Sequence, residues 1–423
     1  MYLRGSKWSM RQRRTRINWF LVVVVVILIA VVAYIDRFIL PTVQTPFVAT
    51  STSTRDPQSY VTDAENLFNE GKLLQAIDSY MQAIRIKPDD PALYIALARV
   101  QVFAGKYDEA LVNAENSLLL NPNNSMGHAV RAWALTQTGD YGTADTSLQE
   151  SLKLDPNNGI IQAYKAFLYG KMYENNAGPY VDPITVAIES SQAAVTLAPN
   201  SLEAHWARAY ILQLTGNGEQ AIPEYLNAIQ VNPNISEIHL ELGVVYKGLG
   251  VIDKAVEQYT LANTYNPSDI RPYLYSSRAE ASIGEYGKAA QYAESAVSNA
   301  PTDPYLRGNW GYMLYKSIDL PDALIQLSLA VNGGQADDGQ TILPQPLTGD
   351  DPRIAQYFYV YAILLEQSNR CADTVPVVKM ILTNVPNDAD AVYNANYVQQ
   401  LCAQSAGTPS AQPSATTAAT PTP

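Results

Sequence analysis

The chain has 423 residues, with 28 Lys or Arg against 40 Asp or Glu and a formal net charge of −12. An acidic balance of this size argues against nucleic acid as a partner, because affinity for phosphate comes from clustered Lys and Arg. Charge is also uneven: residues 1–16 hold six basic side chains and no acid, which leaves 22 basic against 40 acidic in the rest.

Residues 1–16, "MYLRGSKWSMRQRRTR", read as a basic cytoplasmic tail. Residues 17–35, "INWFLVVVVVILIAVVAYI", carry no charge. A helix of that length spans about 28 Å, near the thickness of a bilayer's hydrocarbon core. Trp19 and Tyr34 fall near its ends, where interfacial aromatics belong. The expectation is one transmembrane signal-anchor helix in the plasma membrane, single-pass. The positive-inside rule puts the N-terminus in the cytoplasm and the rest outside it. A cleaved signal peptide, with Val31 and Ala33 before the cut, is the competing reading, although signal-peptide apolar regions run to about 7–15 residues.

Residues 36–56 are rich in Thr, Ser and Pro and read as a linker. Residues 57–388 repeat one phrase. Pro88, Pro122 and Pro156 are 34 apart, as are Pro199, Pro233, Pro267 and Pro301, and again Pro352 and Pro386. Nine units follow, starting near 57, 91, 125, 159, 202, 236, 270, 304 and 355, with nine extra residues in the fourth and 17 after the eighth. Counting each proline as position 32, position 8 is Ala, Gly or Ser throughout, and position 20 is Ala in every unit but the last, which has Thr374. Small residues let two helices cross closely. Gly at position 15 (Gly71, Gly105, Gly139, Gly216, Gly250, Gly284) ends the first helix, and the proline stops the second. No single unit buries its apolar face, so the units must stack. Residues 389–403 read as a capping helix, and 404–423 as a low-complexity, disordered tail.

A 34-residue period with Ala at 8 and 20, Gly at 15, an aromatic at 24 and Pro at 32 resembles the tetratricopeptide repeat. The resemblance covers residues 57–388 and implies an all-α solenoid of about nine helix-turn-helix units, a right-handed superhelix with the first helix of each pair lining its concave face. It also implies a scaffold that binds a protein or extended peptide segment. The layout looks like bacterial membrane proteins in which one helix tethers such a solenoid, in envelope assembly or the handling of exported proteins. In the family, positions 2, 5, 9, 12 and 13 of each first helix face the groove. Here these include Arg99, Phe103, Trp133, Phe167, Trp206 and Tyr210, and further along Arg271, Arg278, Tyr305, Tyr312, Tyr315, Tyr359 and Ile363. Tyr, Trp and Arg dominate binding hot spots, although inter-repeat packing competes for the same rings. The family's carboxylate clamp needs Lys and Asn at positions 5 and 9, where this chain has Val61 and Glu65, Ile95 and Arg99, and Ala129 and Trp133, so the clamp is absent. The Tyr- and Trp-rich groove leaves a cell-surface glycan-binding module as the alternative.

His128, His205 and His239 all stand at position 4, as do Tyr60, Tyr94, Tyr273 and Phe358, and read as rings in an aromatic slot rather than metal ligands. Asp89–Asp90 and Asp350–Asp351 read as caps. No catalytic residue, cofactor or metal is expected, and no nucleic acid. Cys371 follows the first helix of unit 9 and Cys402 ends the capping helix stacked on it, so a disulfide between them is expected to fasten the terminal repeat.

Overall fold

The computed structural model of the chain describes residues 18–35, 37, 55–177 and 182–407. The chain divides into two compact units, Met1–Arg55 and Asp56–Pro423. The basic tail, most of the 36–56 linker and most of the 404–423 tail lie outside the described residues.

The first unit holds α1 (Trp19–Tyr34), 16 residues long, with its side chains exposed. It starts after Asn18, and its regular α-turns end at Tyr34, so it does not use the whole charge-free run. At 1.5 Å per residue it reaches about 24 Å, short of the roughly 30 Å of a hydrocarbon core. Among the described residues no helix is long and apolar enough to cross a membrane. This overturns the transmembrane signal-anchor, the single-pass plasma-membrane placement and the outward orientation drawn from them.

The second unit is a stack of antiparallel helix pairs. The first five are α2 (Pro57–Asn69) with α3 (Leu73–Ile86), α4 (Pro91–Phe103) with α5 (Tyr107–Leu120), α6 (Ser125–Thr138) with α7 (Tyr141–Leu154), α8 (Gly159–Glu174) with α9 (Pro183–Leu197), and α10 (Leu202–Leu214) with α11 (Gly218–Val231). Four more follow: α12 (Ser236–Gly248) with α13 (Ile252–Tyr265), α14 (Arg271–Ser282) with α15 (Tyr286–Asn299), α16 (Pro304–Lys316) with α17 (Leu320–Asn332), and α18 (Pro352–Gln367) with α19 (Cys371–Asn384). The last helix is α20 (Ala389–Gly407). Between α17 and α18, β1 (Gly334–Gln335) and β2 (Thr341–Ile342) pair antiparallel. This insertion packs against its neighbours: Ile342 and Leu347 are buried, and the Gln345 N–H donates to the Ala330 carbonyl at 2.8 Å.

Local chemistry accounts for the pairs. Short polar side chains satisfy the free N–H groups at helix starts. Asp90 accepts from the Ala92 N–H at 3.0 Å, Asn124 from Gly127 at 3.1 Å, Asp303 from Tyr305 at 2.8 Å and Asp351 from Arg353 at 3.0 Å. Each pair turns through a left-handed residue, which is glycine in six units (φ 74° at Gly71), Asn176 in the fourth (φ 49°), Ile318 in the eighth (φ 68°) and Asn369 in the ninth (φ 59°). The small residues at helix crossings, such as Ala98, Ala209 and Ala255, are wholly buried. Buried side chains form two main cores, one running from α2 to α14 and one from α15 to α20, with Leu274, Ala296, Val297 and Leu306 between them. Ala391, Ala395 and Val398 seat α20 on the stack, and a disulfide joins Cys371 to Cys402 with their Cα atoms 5.5 Å apart.

Candidate functional site

The first five units wind until the fifth meets the first. Asn232 Nδ2 donates to the Phe68 carbonyl at 3.2 Å, and Asn234 Nδ2 donates to the Asn69 carbonyl at 2.6 Å. Gly71 makes the approach possible, since a Cβ there would sit 2.5 Å from the Asn234 carbonyl oxygen. Inside the turn α4 faces α10. Arg99 Nε donates to Glu203 Oε1 at 2.5 Å, and Phe103 stacks on Trp206 with ring centroids 5.8 Å apart. Burial opposes both charges, yet the Arg99 guanidinium holds Glu203 below the ordinary carboxylate value, and Glu203 in turn raises Arg99.

This closure decides where the predicted groove residues lie. Trp133 is 1% exposed, Phe167 4%, Tyr210 6% and Trp206 7%, so these rings form the core of the closed turn. Trp133 stacks on Tyr164 at 4.6 Å, and Phe167 meets Trp206 at 4.9 Å. Arg99 and Phe103 are half-buried in the same contact. Inter-repeat and cross-turn packing therefore claims the predicted residues of units 2 to 5.

The closed core leaves two cavities. One, of about 1010 Å³, is lined by residues that include Glu65, Tyr80, Ile95, Arg99, Ser201 and Glu203. The other, of about 770 Å³, is lined by Phe103, Trp206, Tyr210, Lys171, Glu241 and Arg271 among others. Glu241 accepts from the Trp206 indole N–H at 2.6 Å, and its Oε2 lies 2.9 Å from the Tyr225 hydroxyl. Burial, followed by the neighbouring Glu237, pushes the Glu241 carboxyl up to about 7. Arg271, a predicted groove residue, forks onto Glu237 at 3.0 and 2.6 Å and pairs with Asp269 at 2.7 Å. Lys171 pairs with Glu174 at 2.7 Å and sits 5.2 Å over the Tyr210 ring.

The predicted residues of the last three units lie differently. Arg278, Tyr305, Tyr312, Tyr315, Tyr359 and Ile363, on α14, α16 and α18, remain half-buried. The Arg278 guanidinium lies 5.4 Å over the Tyr305 ring and donates to its hydroxyl, which donates in turn to Asp351 Oδ2 at 2.6 Å. Burial and then Tyr312, Asp390, Asp388 and Tyr315 push the Tyr359 phenol up to about 12, which places these groups around one another. Near them are Lys247 and Arg353, the latter paired with Asp351 at 3.2 Å. Burial, then Arg278 and Arg353, hold the Lys247 ammonium below its ordinary value. Sequence reasoning passed over Lys247, although it stands at position 12 of unit 6, one of the groove positions.

The three histidines share one role with other residue types. His128, His205 and His239 each place Nε2 within 2.7–2.9 Å of the carbonyl of the proline six residues earlier, Pro122, Pro199 and Pro233. Tyr94 reaches the Pro88 carbonyl at 3.1 Å and Arg307 the Pro301 carbonyl at 2.9 Å in the same way. In these five units position 4 latches one unit to the one before it, which Phe358 at the same position of the ninth unit cannot do.

The tetratricopeptide-repeat family is matched at residues 67–134 by one of its models and at residues 128–158 by another. No curated protein matches the sequence. Among solved structures, a chain of the APC/C hetero-tetramer Cut9–Hcn1 superposes with a TM-score of 0.55 at 15% identity, over 77% of this chain and 58% of that one. The human IFIT1 dimer with PPP-AAAA gives a TM-score of 0.50 at 15% identity, over 83% of this chain and 84% of that one. Identity this low speaks to fold alone. The chain is an all-α solenoid whose residues 67–158 match tetratricopeptide repeats.

Proposed function

We propose that the chain is a non-catalytic scaffold that binds another polypeptide along the face formed by its last units. The observation that carries this reading is a contrast. The groove rings of units 2 to 5 pack into the closure of the first turn and border its cavity, whereas Tyr305, Tyr312, Tyr315 and Tyr359 stay half-exposed on an open face. Rigid aromatic rings with a polar tip give large contact area at small entropic cost. Lys247 and Arg278, with Arg353 already paired to Asp351, favour a segment with acidic residues beside its aromatic or apolar anchors.

The test is a titration of the full chain against an array of extended peptides, repeated with Tyr312→Ala/Tyr315→Ala/Tyr359→Ala. Peptides with apolar anchors and acidic flanks are expected to bind, and the triple variant to lose at least about tenfold in affinity with its helical circular dichroism unchanged. Full binding by the folded triple variant would sink the proposal. Loss of binding to oligosaccharides instead of peptides would move the reading to a glycan module.

A further inference from the structure

Two carboxylates, Glu203 and Glu241, meet the aromatic core of the closed turn, one at each cavity. Glu203 has a guanidinium of the chain's own: Arg99 pairs with it and lies 5.1 Å from the Phe68 ring centre and 5.4 Å from that of Phe103. Glu241 has the same kind of surroundings without the guanidinium. Its close donors are neutral, the Trp206 indole and the Tyr225 hydroxyl. Among the described residues no Lys or Arg forms an ion pair with it, and the cations nearby are engaged elsewhere, Lys171 with Glu174 and Arg271 with Glu237 and Asp269. Phe103, Phe167, Trp206 and Tyr210 line the space in front of it. Ring faces attract cations, and a planar guanidinium stacks on them while its fork engages a carboxylate.

We propose that the 770 Å³ cavity receives an arginine side chain from a partner polypeptide, the guanidinium lying against these rings and pairing with Glu241. The site is distinct from the open face of the last units and does not depend on it. Charge complementarity names the occupant, and the Arg99 arrangement shows that the same core already holds a guanidinium on its other side. Trp206 and Tyr225 bond Glu241, and the charged and titratable groups lining the same cavity are Glu237 on α12, Lys171 on α8, Tyr210 on α10, Tyr107 on α5, Tyr265 on α13, Arg271 on α14, Asp269 just before it and Lys72 just before α3. With its carboxyl raised to about 7 by burial and Glu237, Glu241 is partly protonated when the cavity lacks a cation. An arriving guanidinium displaces that proton into solvent.

The experiment is calorimetry on the full chain at pH 7 with Ac-Gly-Arg-Gly-amide and its citrulline counterpart, in two buffers of different ionisation enthalpy. The arginine peptide is expected to bind at least about tenfold tighter than the neutral isostere, with proton release that makes the heats differ between buffers. Glu241→Gln is expected to abolish both the preference and the proton release. Tyr210→Leu, which removes a ring wall and leaves the carboxylate, should weaken binding about fivefold while keeping the release. Equal affinity for arginine and citrulline on the wild-type chain, a decision that needs no variant, would overturn the proposal. So would wild-type binding by a folded Glu241→Gln chain.

Discussion

Ile318 occupies a left-handed backbone position (φ 68°) that six other units give to glycine, and its side chain is 81% exposed. A β-branched residue there crowds its own carbonyl, at a cost of about 1–2 kcal/mol, and the exposed side chain recovers little by packing. Ile318→Gly is expected to stabilise the chain by about 1 kcal/mol, the gain being trimmed by glycine's extra freedom in the unfolded state. Denaturant unfolding measures this directly, and a lower midpoint in the variant would refute the strain account. The position-4 latch makes a related point. His, Tyr and Arg each reach the carbonyl of the proline six residues earlier, so any long side chain ending in a hydrogen-bond donor can make this latch. By residue type alone the histidines and Tyr94 read as rings in an aromatic slot.

At the scale of elements, the α4–α10 contact is the joint that closes the first turn. Arg99→Ala would strand the carboxylate of Glu203, which is only 2% exposed, and breaking such a pair costs about 3–5 kcal/mol. The sign with pH follows from the direction of the shift. Paired, Glu203 lies below its unfolded value, so its contribution is present above about pH 4.3 and is lost as pH falls through the lower folded value. Unpaired, burial would raise it, and stability would then fall as pH climbs. The deficit of Arg99→Ala should therefore be larger at pH 7 than at pH 4, and equal losses at both would contradict the ion-pair account. Local features of this joint were legible in the sequence: the cap at Asp90, the small residues at the crossings, and the glycine turns. The closure was not. A 34-residue period encodes contacts between neighbours, whereas Arg99 finds Glu203 104 residues away and Asn234 finds Asn69 165 residues away. Trp133, Phe167, Trp206 and Tyr210 stand at groove positions by count and are buried because the groove there shuts.

Across the whole solenoid the buried side chains fall into two bodies that meet at units 7 and 8 through four small and medium apolar residues. Polar atoms take part of that junction: the Asn309 amide donates to the Ser277 hydroxyl at 3.1 Å in a buried contact. In a stack where each unit leans only on its neighbours, a break in the buried apolar core lets the two sides open separately. Hydrogen exchange is expected to show two protection levels that change between α14 and α16, and denaturation to show two steps. One transition with uniform protection would contradict the division. The first turn has a different mechanical character from the rest. A coil with free turns lengthens under tension by small rotations between successive units. Here the first turn is bonded across its own circumference, so a pull along it loads Asn232, Asn234 and the Arg99–Glu203 pair together. The N-terminal turn behaves as a washer, and the give of a spring is left to the units that follow.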